Sequence, residues 1–277
     1  MNRRPAGDED GSSVRPVTEP SRRATLRTQD AVVIDASHHP GPAPGTDLAI
    51  VVAHGFTGDL ERPHVRRAAA VFAQRAAVIT FSFRGHGRSG GRSTVGDREV
   101  LDLAAAVAWA RSLGHTRVVT VGFSMGGSVV LRHAAMYRGR TEAHTDGVVA
   151  VSAPARWFYR GTAPMRRVHW AVTRPTGRMV SRLGLRTRIH PRDWDPVPLS
   201  PVESVPLLAP TPLLVVHGDS DPYFPVDHPR MLVEASGGSA ELWLEPGMGH
   251  AEHAASDALL TRIGDWAAKA GAGGAAE

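Results

Sequence analysis

The chain has 277 residues, is 42% hydrophobic and 21% charged, and carries a formal net charge of +5, enough chain for one large α/β domain with room for an insertion. No run approaches the roughly 18 consecutive apolar residues of a membrane-spanning helix; the absence of cysteine excludes disulfides, thiolate nucleophiles and cysteine-bound metals. The positive charge is almost all arginine, Lys269 being the only lysine, and with no nucleic-acid-binding motif beside it neither DNA nor RNA is expected as a partner.

Residues 1–28 are rich in Arg, Pro, Asp, Glu and Ser and poor in large apolar side chains, a composition that predicts a disordered N-terminal tail. Ser21–Arg27 has a twin-arginine look, but no apolar stretch of about 7–15 residues follows it, so a cytoplasmic protein is expected. Residues 29–152 read as the first part of an α/β core. Strands are predicted at Ala31–Ile34, Leu48–Ala53, Ala77–Phe81, Arg117–Val121 and Val148–Val151. Helices are predicted at Pro63–Arg75, Asp97–Arg111 and Ser124–Tyr137, the second with Val100, Leu103, Ala104, Val107 and Ala108 on one face. Residues 153–210 break the alternation and hold three of the six tryptophans (Trp157, Trp170, Trp194). A connection of that length usually serves function, and helical stretches at Met165–Val172 and Arg178–Leu183 predict a small helical cap. Residues 211–269 resume the core with strands Leu213–Val216 and Leu242–Leu244 and helices Asp227–Ala235 and Asp257–Lys269, and 270–277 is expected to be a flexible tail. Continuous apolar strands alternating with helices predict a mostly parallel central sheet covered on both faces, with its active site at the C-terminal strand ends.

The chemistry-bearing motifs fall at those ends. Gly122-Phe123-Ser124-Met125-Gly126-Gly127 follows a strand and opens a helix, the context a Gly-x-Ser-x-Gly nucleophile elbow requires; Ser124 is the expected nucleophile. A serine hydroxyl needs a base. Of fourteen histidines, His250 in Gly249-His250 after the last strand is placed to swing over the sheet edge, with His253 its rival. Those two resemble half of a zinc site, but spacing suggests no third ligand, so no metal and no cofactor is expected. Asp219 and Asp221 compete as the acid that orients the base; Asp221, deeper in the turn before Pro222, is preferred, and Asp219 is expected to cap the turn. The order Ser124, Asp221, His250 is that of α/β-hydrolases and not of other serine-hydrolase folds. Oxyanion donors are expected from the backbone N–H groups of Met125 and of Phe56 in His54-Gly55-Phe56-Thr57-Gly58. His54, Arg84 and His86 are expected to tether loops. Phe56, Trp157 and Trp170 are expected to contact substrate.

Together, His54-Gly55-Phe56, Arg84-Gly85-His86-Gly87-Arg88-Ser89, the elbow, the His217–Pro225 turn and Gly249-His250 resemble the α/β-hydrolase superfamily, in particular its serine aminopeptidase and monoacylglycerol-lipase-like group, over roughly residues 30 to 270. The resemblance implies a metal-free hydrolase that forms an acyl-enzyme on Ser124, which water releases. It leaves the acyl group open, since fold does not decide substrate. The expected substrate is a small-molecule carboxylic ester. A thioester, amide or peptide, or an acyl acceptor other than water, is the alternative, favoured by ten arginines against three acids between Ala153 and Glu203; a non-catalytic binding protein of the same fold comes last. Oligomeric state is not legible in the sequence.

Overall fold

The computed structural model describes residues 21–43, 45–139 and 142–270. Eight strands form one sheet: β1 (Arg22–Arg27), β2 (Val33–His39), β3 (Leu48–Ala53), β4 (Ala77–Phe81), β5 (Arg117–Phe123), β6 (Gly147–Val151), β7 (Leu213–Gly218) and β8 (Ala240–Glu245), ordered β1-β2-β4-β3-β5-β6-β7-β8. β1 and β2 are antiparallel to their neighbours, and from β4 to β8 every pairing is parallel. Parallel strands need crossovers on the sheet faces, which bury both sides. Accordingly β3, β4 and β7 are wholly buried. Ala49, Val51 and Ala53 of β3 join a core with helices α2 (Glu99–Ser112) and α3 (Met125–Met136). Leu48, Ile50 and Val52 join a second core with α1 (Pro63–Phe72) and, at the C-terminus, α9 (Asp257–Lys269). The period of two along one strand thus serves two helical layers.

Between β6 and β7 the chain forms α4 (Ala163–Thr173), α5 (Pro175–Gly184) and α6 (Pro201–Ser204). Residues 187–189 bridge back to the loop after β4, pairing His86 with Thr187 and Ser93 with Ile189. Trp194 Nε1–H donates to the Thr94 carbonyl at 2.7 Å. After β7 come α7 (Asp227–Ala235) and, between β8 and α9, α8 (Ala251–Ala254).

Four expectations need correction. Residues 22–27, expected in a disordered tail, form β1; Ala24 and Leu26 alternate with polar and charged neighbours, and Arg23 binds Asp35 at 2.8 Å and Glu61, so ion pairs and a partner strand supply what apolar burial does not. Residues 1–20 and 271–277, the rest of both expected tails, lie outside the described residues, whereas Ala270 caps α9 and is buried. The strand expected at Ala31–Ile34 lies later, at Val33–His39, because its polar residues pair with β1 and β4. Finally, α2 does not divide into apolar and polar faces: Glu99 and Asp102 are fully buried. Glu99 accepts N–H bonds from Thr94, Val95 and Gly96. Asp102 binds Arg84, whose guanidinium also reaches Asp30 at 2.7 Å. Burial opposes the Arg84 charge, but hydrogen bonds to Asp30 and Asp102 outweigh it and hold that pKa above its usual value.

Removing one partner of a buried pair strands the other charge, a loss of about 3–5 kcal/mol. Arg84→Met should cost about that much in urea unfolding; a loss below about 1 kcal/mol would show that Asp102 finds other compensation.

Burial also pushes His38 and His228 down to about 4 and His133 to about 3, from an ordinary 6.5. The unfolded chain takes up these protons at a higher pH than the folded chain. Their stabilising effect is therefore complete above about pH 6.5 and declines as pH falls toward 4. The urea midpoint should drop across that window, and less steeply in His228→Gln, whose amide oxygen can still accept the Ala155 N–H that His228 Nδ1 accepts at 2.9 Å. Parallel curves for the two proteins would remove His228 from this account.

Candidate active site

Ser124 stands between β5 and α3 with φ 52° and ψ −115°, a region that costs a non-glycine residue of order 1–3 kcal/mol. Its neighbours enforce the turn. A Cβ on Gly126 would lie 2.1 Å from the Ala53 carbonyl oxygen, and one on Gly122 would lie 2.2 Å from the Gly126 carbonyl oxygen. Only glycine allows these backbones to pass so closely. The Ser124 N–H is held by the Val151 carbonyl at 2.9 Å. The hydroxyl therefore stands above the C-terminal strand ends, at the N-terminus of α3, where the helix dipole favours negative charge.

The structure brings His250 and Asp221 to that hydroxyl. His250 Nε2 lies 2.8 Å from Ser124 Oγ, and His250 Nδ1 lies 2.7 Å from Asp221 Oδ2. With the proton on Nδ1 donated to Asp221, the Nε2 lone pair faces the serine O–H. The Asp221 side chain is fully buried. Burial raises its pKa, but the bond and charge of His250, with N–H bonds from Tyr223 and Phe224, leave it below the ordinary carboxylate value.

Asp219 turns the other way. It accepts the Gly247 N–H at 2.7 Å and so ties the β7 turn to the histidine loop. His253 is exposed on α8 and lines the same cavity as Ser124, but its ring lies against His64 and makes no bond to the serine.

Phe56 and Met125 flank Ser124 in the lining of a cavity of about 890 Å³. His86 Nε2 holds the Phe56 carbonyl. His54 is buried and accepts the Phe83 N–H on Nε2 at 3.0 Å. Its Nδ1–H must then donate to the Gly55 carbonyl, 2.7 Å away, and burial keeps the ring neutral by lowering its pKa well below the usual value. Both histidines shape the loop and stand apart from the serine.

Trp157 lines the cavity, its Nε1–H bound to the Pro198 carbonyl and its ring 5.0 Å from that of Trp194. Trp170 is a correction. It is 45% exposed and outside the cavity lining, because Met165, Val168 and Val172 form the inward stripe of α4 and position 170 falls off it.

Sequence reasoning missed several contributors. The Tyr223 ring stacks on His250 at 4.3 Å, and Phe224 lies 5.7 Å away; their place beside Asp221 in the β7 turn was the available signal. Ser152, with φ 49°, accepts the Ala251 N–H on its Oγ at 3.0 Å and thereby fixes the residue after His250. Trp194, Tyr159 and Glu252 also line the cavity. No local pattern marks these: Tyr159 and Trp194 arrive from the β6–β7 connection and Glu252 from the segment after β8.

Comparison with known proteins bears on the fold that carries this site. A family model described as the alpha/beta hydrolase fold matches residues 49–171. A monoacylglycerol lipase of Mycolicibacterium smegmatis is 28% identical over 249 residues, 75% of this chain and 83% of that one. An esterase of Pyrococcus furiosus has a similar structure, with TM-score 0.69 and 22% identity, covering 96% of this chain and 98% of that chain. A serine hydrolase of Xanthomonas campestris described as lacking a lid has TM-score 0.58 and 20% identity over 90% of this chain and 93% of that chain. With its sheet order, its strand-to-helix serine turn and these matches, the chain has the α/β-hydrolase fold.

Proposed function

We propose that the protein is a serine esterase that cleaves small-molecule carboxylic esters through an acyl-enzyme on Ser124, with His250 as general base, Asp221 as its orienting acid and no metal or cofactor. The observation that carries this reading is the unbroken hydrogen-bond chain from Ser124 Oγ through His250 to buried Asp221 at the floor of an aromatic-lined cavity. The relatives that are a monoacylglycerol lipase and an esterase support it.

The ester carbonyl sits over Ser124, its oxygen toward the N–H groups of Phe56 and Met125. Ser124 Oγ bonds to the carbonyl carbon as its proton passes to His250 Nε2, and negative charge moves to the carbonyl oxygen. The C–O bond to the alkoxy group then breaks, and the proton on Nε2 leaves with the alcohol. Water repeats the sequence: His250 takes its proton, the hydroxyl adds to the acyl carbon, and Ser124 departs reprotonated with release of the acid. Asp221 stays ionised and stabilises the transient imidazolium.

Residues 153–210 supply the roof: α4 presents Met165, Val168 and Val172, and Trp157 and Trp194 close one wall. This surface suits an apolar acyl chain. A second reading, an anionic thioester or similar acyl donor, is favoured by Arg160 and Arg192 in the lining, whereas Arg156 is tied to Asp227 at 2.9 Å. Salt should then weaken turnover of an acyl-thioester, and not of a neutral ester.

Ser124→Ala should lower hydrolysis of p-nitrophenyl butyrate by at least about a thousandfold and abolish fluorophosphonate labelling; equal rates in the two proteins would end the assignment. Ser152→Ala leaves the buried Ala251 N–H without its acceptor, a loss of about 1–3 kcal/mol. Its kcat should fall about tenfold or more with KM nearly unchanged. A change in KM alone would place Ser152 in substrate binding instead.

A further inference from the structure

Beside the catalytic histidine loop lies a second group of side chains that the esterase chemistry does not use. His64, at the start of α1, meets Glu252 and His253 of α8, and one ligating atom from each lies within 4.8 Å of the other two. His64 Nε2 is buried without a hydrogen-bond partner and sits 3.7 Å from Glu252 Oε1. Glu252 is 2% exposed, and the hydrogen bond its carboxylate accepts is a long one, 3.4 Å from the Gly55 N–H. The His253 ring is exposed and lies tilted by 36° against that of His64 with centroids 3.6 Å apart, which leaves a route in from solvent. A buried carboxylate with so little compensation, facing an unpartnered imidazole nitrogen, is a poor arrangement for the protein alone.

A cation would satisfy all three groups. Two imidazoles and one carboxylate are a donor set for zinc and similar ions, with bonds of about 2.0–2.2 Å and a fourth position left for water. Such bonds put tetrahedral ligand atoms about 3.4 Å apart, so the Glu252 carboxylate and the exposed His253 ring must both shift toward His64 to close the set. The helices that carry the ligands are already fixed to each other: Arg67 of α1 donates to the carbonyls of Glu252 and Ala255 at 2.9 and 2.7 Å. The Arg67 charge, which would oppose a cation, is taken up by Asp257 at 2.7 Å.

We infer that His64, Glu252 and His253 form a site for one divalent transition-metal ion of the zinc type, and that its occupancy slows turnover by drawing Glu252 away from Gly55. Gly55 precedes Phe56, whose N–H is assigned to the oxyanion, and α8 begins directly after His250. The inhibitory half rests on the proposed esterase mechanism; the binding half does not.

The test is titration of the full, chelator-treated chain with Zn²⁺ by calorimetry and with Co²⁺ by visible absorption. One equivalent should bind, with the intense bands of a tetrahedral cobalt site. His64→Gln and His253→Gln should each weaken binding by at least about tenfold, and Glu252→Gln, which keeps an acceptor for Gly55, should do the same, each variant checked for folding by circular dichroism. Zinc should inhibit butyrate ester hydrolysis reversibly in the parent chain and at least about tenfold less effectively in the histidine variants. Binding that survives in folded variants would overturn the site. Equal inhibition of parent and variants would overturn the coupling and place the ion on His250. A chain that binds zinc but hydrolyses no ester would remove the esterase reading and uphold the site.

Discussion

Everything at this site depends on a backbone that holds Ser124 in a conformation it would not choose. The φ of 52° is imposed by contacts closer than any Cβ would permit, Gly122 against the first turn of α3 and Gly126 against the end of β3. That strain of order 1–3 kcal/mol persists because β3, β5 and β6 are buried on both faces and paired along their lengths. A hydroxyl raised in this way reaches a histidine arriving from the far end of the sheet, and it does so at a helix N-terminus where developing negative charge is favoured.

The partners of that hydroxyl are held by the same logic from three directions. Asp219 ties the β7 turn to the loop after β8, and Ser152 at the end of β6 holds Ala251. Tyr223 covers the imidazole face. On the other flank, His86 and His54 tether the loop of Gly55 and Phe56 to the segment after β4. His54 and His86 are buried and burial lowers their pKa values, so they fix position without adding a stray charge near Ser124. Arg84 serves beneath them, its charge consumed by Asp102 and Asp30.

The segment between β6 and β7 is built differently. α4 has no fully buried residue, and α5 buries only Gly177 and Ser181. Its attachments are hydrogen bonds at its edges: the bridges of residues 187 and 189, the Trp194 indole on Thr94, and Thr162 on the Tyr223 carbonyl at 2.9 Å. A layer with few buried apolar contacts sits at the low-stability end of a structure.

Much of this was legible in the amino-acid sequence, because the strongest signals are local. A buried parallel strand must be a continuous apolar run, so β3, β4 and β7 announce themselves. A Gly-x-Ser-x-Gly between strand and helix is one stretch of chain obeying one steric demand, and position in the turn after β7 and the loop after β8 pointed to Asp221 and His250 as the partners of Ser124. What only the tertiary structure decided are relations between distant segments. β1 is a strand because β2 and Glu61 give its arginines partners. Glu99 and Asp102 can be buried on α2 because loop N–H groups and Arg84 come to meet them. Trp170 points outward because the phase of α4 is set by packing and not by its tryptophan. His64 meets Glu252 and His253 from the other half of the chain. Hydrophobic period and turn sterics act over a few residues and can be read in one dimension, whereas charge compensation and side-chain convergence depend on distances that exist only once the sheet has formed.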